Sequence, residues 1–102
     1  MEETKYINLT AQDWFEKGRR LARDGRHNDA IEAFNRAIGG APAYAEAYFE
    51  RGACYYALGH YHQAADDIDA AAILGCRDAQ FWSKHDTQPI ARGLDGDQEL
   101  DD

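Results

Sequence analysis

Cysteine is nearly absent from this chain. Cys54 and Cys76 are its only two, and their spacing fits neither a zinc site nor a redox pair. Cys54 falls in mid-helix sequence and reads as a small apolar packing residue, while Cys76 reads as an ordinary loop residue. Serine occurs once, as Ser83, away from any glycine-rich turn, so neither an activated nucleophile nor a phosphate cradle is foreseen. No run of about 18 apolar residues is present. The opening Met1-Glu2-Glu3-Thr4-Lys5 also lacks the basic-then-apolar order of a secretory signal, so a soluble, cytoplasmic protein without a membrane partner is expected. Positive charge is scarce too: 11 Lys and Arg stand against 19 Asp and Glu, a net charge of −8, which argues against nucleic acid as a partner. That deficit is uneven, since residues 1–44 are neutral and residues 45–78 and 79–102 carry −4 each.

The few titratable groups of catalytic type are scattered. His60 and His62 flank Tyr61 where a turn is expected, and no third ligand stands at a recognisable spacing, so neither a metal nor another cofactor is expected. Asp66, Asp67 and Asp69 read as a solvated outer helix face, because paired carboxylates without a pocket perform no acid or base chemistry. No catalytic residue is proposed, and the chain is not expected to be an enzyme.

What the sequence does contain is itself, written twice. At an offset of 34 residues Ala11 falls on Ala45, Phe15 on Phe49, Glu16 on Glu50, Gly18 on Gly52, Gly25 on Gly59, Ala30 on Ala64 and Ala37 on Ala71. A period of that length marks a repeat architecture in which each copy is one supersecondary unit. Within a copy, an apolar-periodic run (14–22 or 48–58) ends near a glycine and a second run (30–38 or 64–74) follows at once, which predicts two helices joined by a tight turn. Gly18 and Gly52 lie inside the first helix, where glycine costs about 1 kcal/mol relative to alanine. Their recurrence therefore points to close approach of two helices, as do Ala30, Ala37, Ala64 and Ala71 on the second. Trp14, Leu21, Phe34 and Ile68 supply the seam.

These residues resemble the signature of the tetratricopeptide family. Copy one supplies Trp14, Gly18, Leu21, Ala30, Phe34, Ala37 and Pro42, and copy two supplies Tyr48, Gly52, Tyr55, Ala64, Ile68 and Ala71. The resemblance implies an all-α fold of antiparallel helix-turn-helix repeats, about five helices in a right-handed superhelical stack. Lys17 and Arg51 depart from the pattern, standing where it has leucine. Their methylene stems can cover the helix seam with the charge in water. The organisation that follows is an N-terminal arm (1–10), repeat one (11–44), repeat two (45–78), a capping helix (79–86) and an acidic tail (87–102) expected to be disordered. Thr10-Ala11-Gln12-Asp13 forms a variant capping box for the first helix, and Asp78 is the expected N-cap of the last.

In such arrays the first helices of the hairpins line a concave groove. Carried over residue by residue, this implies a peptide-binding surface of Gln12, Phe15, Arg19 and Arg23 from copy one, and Glu46, Phe49, Ala53 and Tyr56 from copy two. Ala22, Ala57, Gln80 and Ser83 stand beside them. The implied partner is a protein or peptide with apolar side chains and an acidic group near the arginines. The same aromatics can also be read as core, and the arginines as a solvated helix face. A chaperone-tail adaptor of this family grips a terminal carboxylate with Lys, Asn and Arg residues, where this chain has Phe15, Arg19, Glu50, Gln80 and Lys84, so that variant fails. The alternative function is structural: two hairpins and a cap are close to the minimum for a stable array, and stacking through the exposed ends into a homo-oligomer or scaffold would bury more surface.

Overall fold

The computed structural model describes residues 9–85; residues 1–8 of the expected arm, the last residue of the expected capping helix (86) and the expected tail (87–102) lie outside the described residues. Five helices follow one another: α1 (Ala11–Arg23), α2 (His27–Gly40), α3 (Ala45–Ala57), α4 (Tyr61–Ile73) and α5 (Arg77–His85). Among the described residues there is no strand.

Helix α1 starts where its chemistry dictates. Thr10 is extended, its Oγ1 accepts the Asp13 N–H at 3.1 Å, and Asp13 Oδ2 accepts the Thr10 N–H at 3.0 Å. This reciprocal capping box satisfies two donors that a helix end otherwise leaves open. Hydrogen bonding from the Thr10 backbone, then from its side chain, holds the Asp13 carboxyl below its usual value. Thr10→Ala is expected to lower stability by about 1 kcal/mol, read as a lower denaturant midpoint with an unchanged slope.

The hairpin turns are alike. Gly25 and Gly59 carry φ of 81° and 82°. The next residue in each case closes the helix end, with the Arg26 N–H donating to Leu21 O and the His60 N–H to Tyr55 O, at 2.9 and 2.8 Å. A left-handed residue after the last turn is what this closure needs, and glycine adopts it without steric cost.

Helices pack as two hairpins, α1 on α2 and α3 on α4, with α3 laid on α2 and α5 on α4. Phe34 is the centre of the first hairpin, with no exposed surface, and Phe15, Ala30, Ile31, Ala37, Ala47 and Cys54 surround it. The expected close approach is present: a Cβ built on Gly18 would lie 2.5 Å from Phe34 Cε1. At Gly52 the neighbours are Asp67 Cβ at 3.1 Å and Ala64 O at 3.2 Å. Ala45, Ile68, Ala71, Cys76 and Ala79 make the second cluster. Cys76 is therefore a buried residue under α5, where the sequence suggested an ordinary loop position. Helix α5 itself begins at Arg77, so Asp78 sits in its first turn and does not cap it.

Two readings of charged residues are corrected. Arg51 does not hold its charge in water, and Asp67 does not belong to a solvated face. Arg51 Nε donates to Asp67 Oδ2 at 2.8 Å and Nη2 to Oδ1 at 2.7 Å, while Nη1 donates to Asn35 Oδ1 at 2.8 Å. Their side chains are 20% and 8% exposed. The fork ties α3 to α4 within its own hairpin and to α2 in the preceding one. The reason lies in geometry: Gly52 lets α4 come close enough that the Asp67 carboxylate meets a guanidinium and not solvent. The corresponding pair in copy one is Lys17 and Ala33, which has no charge partner to offer. Lys17 is exposed, its ammonium 5.2 Å from the Trp14 ring centroid.

Comparison of equivalent positions exposes a second asymmetry. The side of α3 that meets α2 presents Ala47, Cys54, Tyr44, Tyr55 and Leu58, all counted in the first hairpin's apolar cluster. Shifted by one repeat, the same side of α1 presents Asp13, Arg20, Thr10, Leu21 and Asp24, of which all but Leu21 are exposed. The outer side of the first hairpin is thus polar among the described residues.

Candidate functional site

The candidate groove residues do not form one uniform surface. Phe15 is buried, 8% exposed, with its ring 5.8 Å from Phe34 and 4.9 Å from Tyr44. It belongs to the core, the other of the two readings that its spacing allowed. Arg19 lies one turn further along α1 with its guanidinium 5.8 Å from the Phe15 centroid, covering that ring from the solvent side. Gln12 and Arg23 are exposed on α1.

On α3 the residues converge. Phe49, Ala53 and Tyr56 recur at three- and four-residue spacing and so share a face. Together with Ile68 of α4 and Trp82 of α5 they line a small apolar cavity of about 110 Å³. Tyr56 is 46% exposed and forms its rim, edge-on to Tyr61 at 5.1 Å and to Trp82 at 6.3 Å. Trp82 and Ile68 are lining residues that sequence reasoning assigned elsewhere, Ile68 to the hairpin seam and Trp82 to the cap. Trp82 stands at the repeat position of Trp14 and Tyr48, and that correspondence was the available signal. Gln80 holds the cap in place through its Nε2, which donates to Ala72 O at 3.1 Å. The side chain of Ser83 lies outside the described set.

The electrostatics around α3 are acidic. Glu46 and Glu50 are one turn apart, and Glu50 is half-buried. Burial pushes the Glu50 carboxyl up, the nearby Arg19 charge opposes that rise, and Asp78 of α5 adds to it. Tyr44 is raised chiefly by burial and then by Glu46 and Glu16, again with Arg19 opposing. Arg19 is thus the cation set among Glu16, Glu46 and Glu50. The Cys54 thiol beneath is pushed up to about 11 by burial and by Glu50, which leaves it protonated and unreactive at neutral pH.

Two larger depressions, about 650 and about 440 Å³, surround Trp14 on the outer side. Both are open, and their walls include Glu32 and Arg36, with Asp29 and Lys17 in the second. They lack the almost wholly apolar lining of the cavity beside Tyr56. Among the described residues no three His, Cys, Asp or Glu side chains converge on a metal position. Among the same residues no helix is long and apolar enough to cross a membrane.

Against this geometry, comparison with known families shows that a model described as TPR repeat matches residues 18–59. The matched segment runs from the buried glycine of α1 through α2 and α3 to the turn glycine after α3. Helices α4 and α5 lie beyond it and continue its packing. Such repeats generally mediate protein–protein interaction. No curated protein matches the chain.

Proposed function

We propose, from the premise that these hairpins are tetratricopeptide repeats, that the protein is a non-catalytic binding module whose inner face holds a peptide or a segment of a partner protein. The observation that carries this reading is the apolar cavity between Phe49, Ala53, Tyr56 and Trp82, with Arg19, Arg23, Glu46 and Gln12 exposed elsewhere on α1 and α3. A concave apolar site with a few polar groups at its edge is what a peptide side chain needs for orientation and anchoring. Phe15 contributes by supporting Arg19 from below. Both cysteines are free, buried thiols, which suits work in the reducing cytoplasm.

The alternative, assembly through the ends of the stack, draws support from Ile73 and Leu74 at the end of α4, 84% and 40% exposed. The polar outer side of α1 speaks against the other end. A stack that uses both ends would bury Asp13, Arg20 and Asp24 against a neighbour, and each unpaired charge opposes that.

The two readings separate on paired baits. Arg19, Ala53 and Tyr56 are exposed, so Arg19→Ala, Ala53→Leu, Tyr56→Ala changes the groove and leaves the core alone. Affinity capture with this variant is expected to lose, by about tenfold or more, a partner that the intact protein and an Ile73→Asp variant both retain. Equal capture by intact and groove-variant baits, with loss only in Ile73→Asp, would transfer the function to the end of the stack.

A further inference from the structure

The chemistry of the ligand can be taken one step further, on the premise that the groove reading holds. We infer that the groove takes a basic peptide, seating one aliphatic side chain in the cavity beside Tyr56 and placing a Lys or Arg next to it against Glu46 and Glu50. This replaces the acidic group suggested by the arginines in the sequence.

Size fixes the first half. A carbon-lined cavity of roughly 150 Å³ accepts benzene. The cavity here, about 110 Å³, is smaller than that and suits a branched aliphatic side chain. Its neighbours on α3 fix the second half. Glu50 follows Phe49 directly and precedes Ala53 by three residues, so it stands at the cavity's edge, and Glu46 lies one turn before it. Asp78 of α5 acts on Glu50 and Glu16 of α1 acts on Tyr44, whereas Arg19 is the cation near both and Arg23 stands one turn further along α1. Arg19 is already engaged with the Phe15 ring, 5.8 Å from its centroid. An incoming carboxylate would meet four acids against Arg19 and the more distant Arg23. An incoming ammonium or guanidinium would meet the reverse, and the chain's net charge of −8 attracts it from a distance.

The test is selection of a displayed library of random 12-residue peptides on the intact protein, repeated on Ala53→Leu, which fills the cavity from an exposed helix position. Binding is expected to enrich Leu, Ile or Val beside Lys or Arg. A synthetic peptide of that pattern should bind about tenfold more weakly to Ala53→Leu and to Glu46→Lys, and should weaken steeply with salt. Circular dichroism of both variants checks that they remain folded. Enrichment of acidic or uncharged peptides that still fail on Ala53→Leu would overturn the charge inference and leave the groove reading in place. Peptides indifferent to Ala53→Leu, or no enrichment, would overturn both.

Discussion

Asp67→Ala is expected to remove about 3 kcal/mol of stability, a large share of the 5–15 kcal/mol typical of a domain. The carboxylate is 8% exposed and receives two hydrogen bonds from Arg51. Removing it strands a guanidinium whose remaining partner is Asn35 at 2.8 Å. Losing one member of a buried pair costs about 3–5 kcal/mol, because the survivor keeps its desolvation penalty without its counter-charge. The lower end applies here, since Arg51 is 20% exposed and reaches some water. Arg51 also lies 5.5 Å from the Tyr48 ring centroid, a contact that survives the change. For a domain of this size the loss corresponds to a fall in Tm of roughly 15 °C. The companion variant Arg51→Met, Asp67→Leu should recover most of it, because an apolar pair needs no desolvation. If Asp67→Ala melts within a degree or two of the parent, the pair is not buried in solution and the ordering of α2, α3 and α4 around it must be reconsidered.

Gly18→Ala is the second large effect, and its sign is the informative part. In an ordinary helix interior this change gains about 1 kcal/mol. Here the added methyl would lie 2.5, 2.7 and 2.8 Å from three atoms of the Phe34 ring. All three distances are below any real carbon contact, so the ring or the helix must shift. Phe34 has no exposed surface and packs beside Phe15, 5.8 Å between centroids, so a rigid ring has nowhere to retreat. Overpacking of this kind costs about 1–3 kcal/mol. Set against that gain, a net loss of about 1–2 kcal/mol is expected in chemical denaturation, toward the upper end of the overpacking cost because the ring is held on all sides. Phe34→Leu added to Gly18→Ala should cost less than the two changes summed, a coupling of about 1 kcal/mol that identifies the ring as the obstacle. A Gly18→Ala protein more stable than its parent would mean that the helices can separate without penalty.

Much of the architecture was legible because it depends on period and small residues. The offset that aligns Gly18 with Gly52 and Gly25 with Gly59 marks both the close contacts and the turns, and the structure places each there. Side-chain partners were less legible. Helical spacing tells which residues share a face and not which neighbour that face meets, so Phe15 read equally well as groove or as core. Charged residues read as solvated by default, which concealed Arg51 and Asp67. Their clue was the joint change from Lys17 and Ala33, a difference between copies where attention falls on identities. The cavity beside Tyr56 needed Trp82 from α5, and no local pattern says that a cap residue turns toward the third helix.

The polar outer side of α1 has a consequence for assembly. In the vocabulary of polymer growth, Asp13, Arg20 and Asp24 act as a chain terminator: a hairpin added there would find charges where α3 offers Ala47, Cys54 and Leu58. Head-to-tail filaments of this chain are therefore disfavoured at every junction, whatever the apolar residues at the end of α4 do.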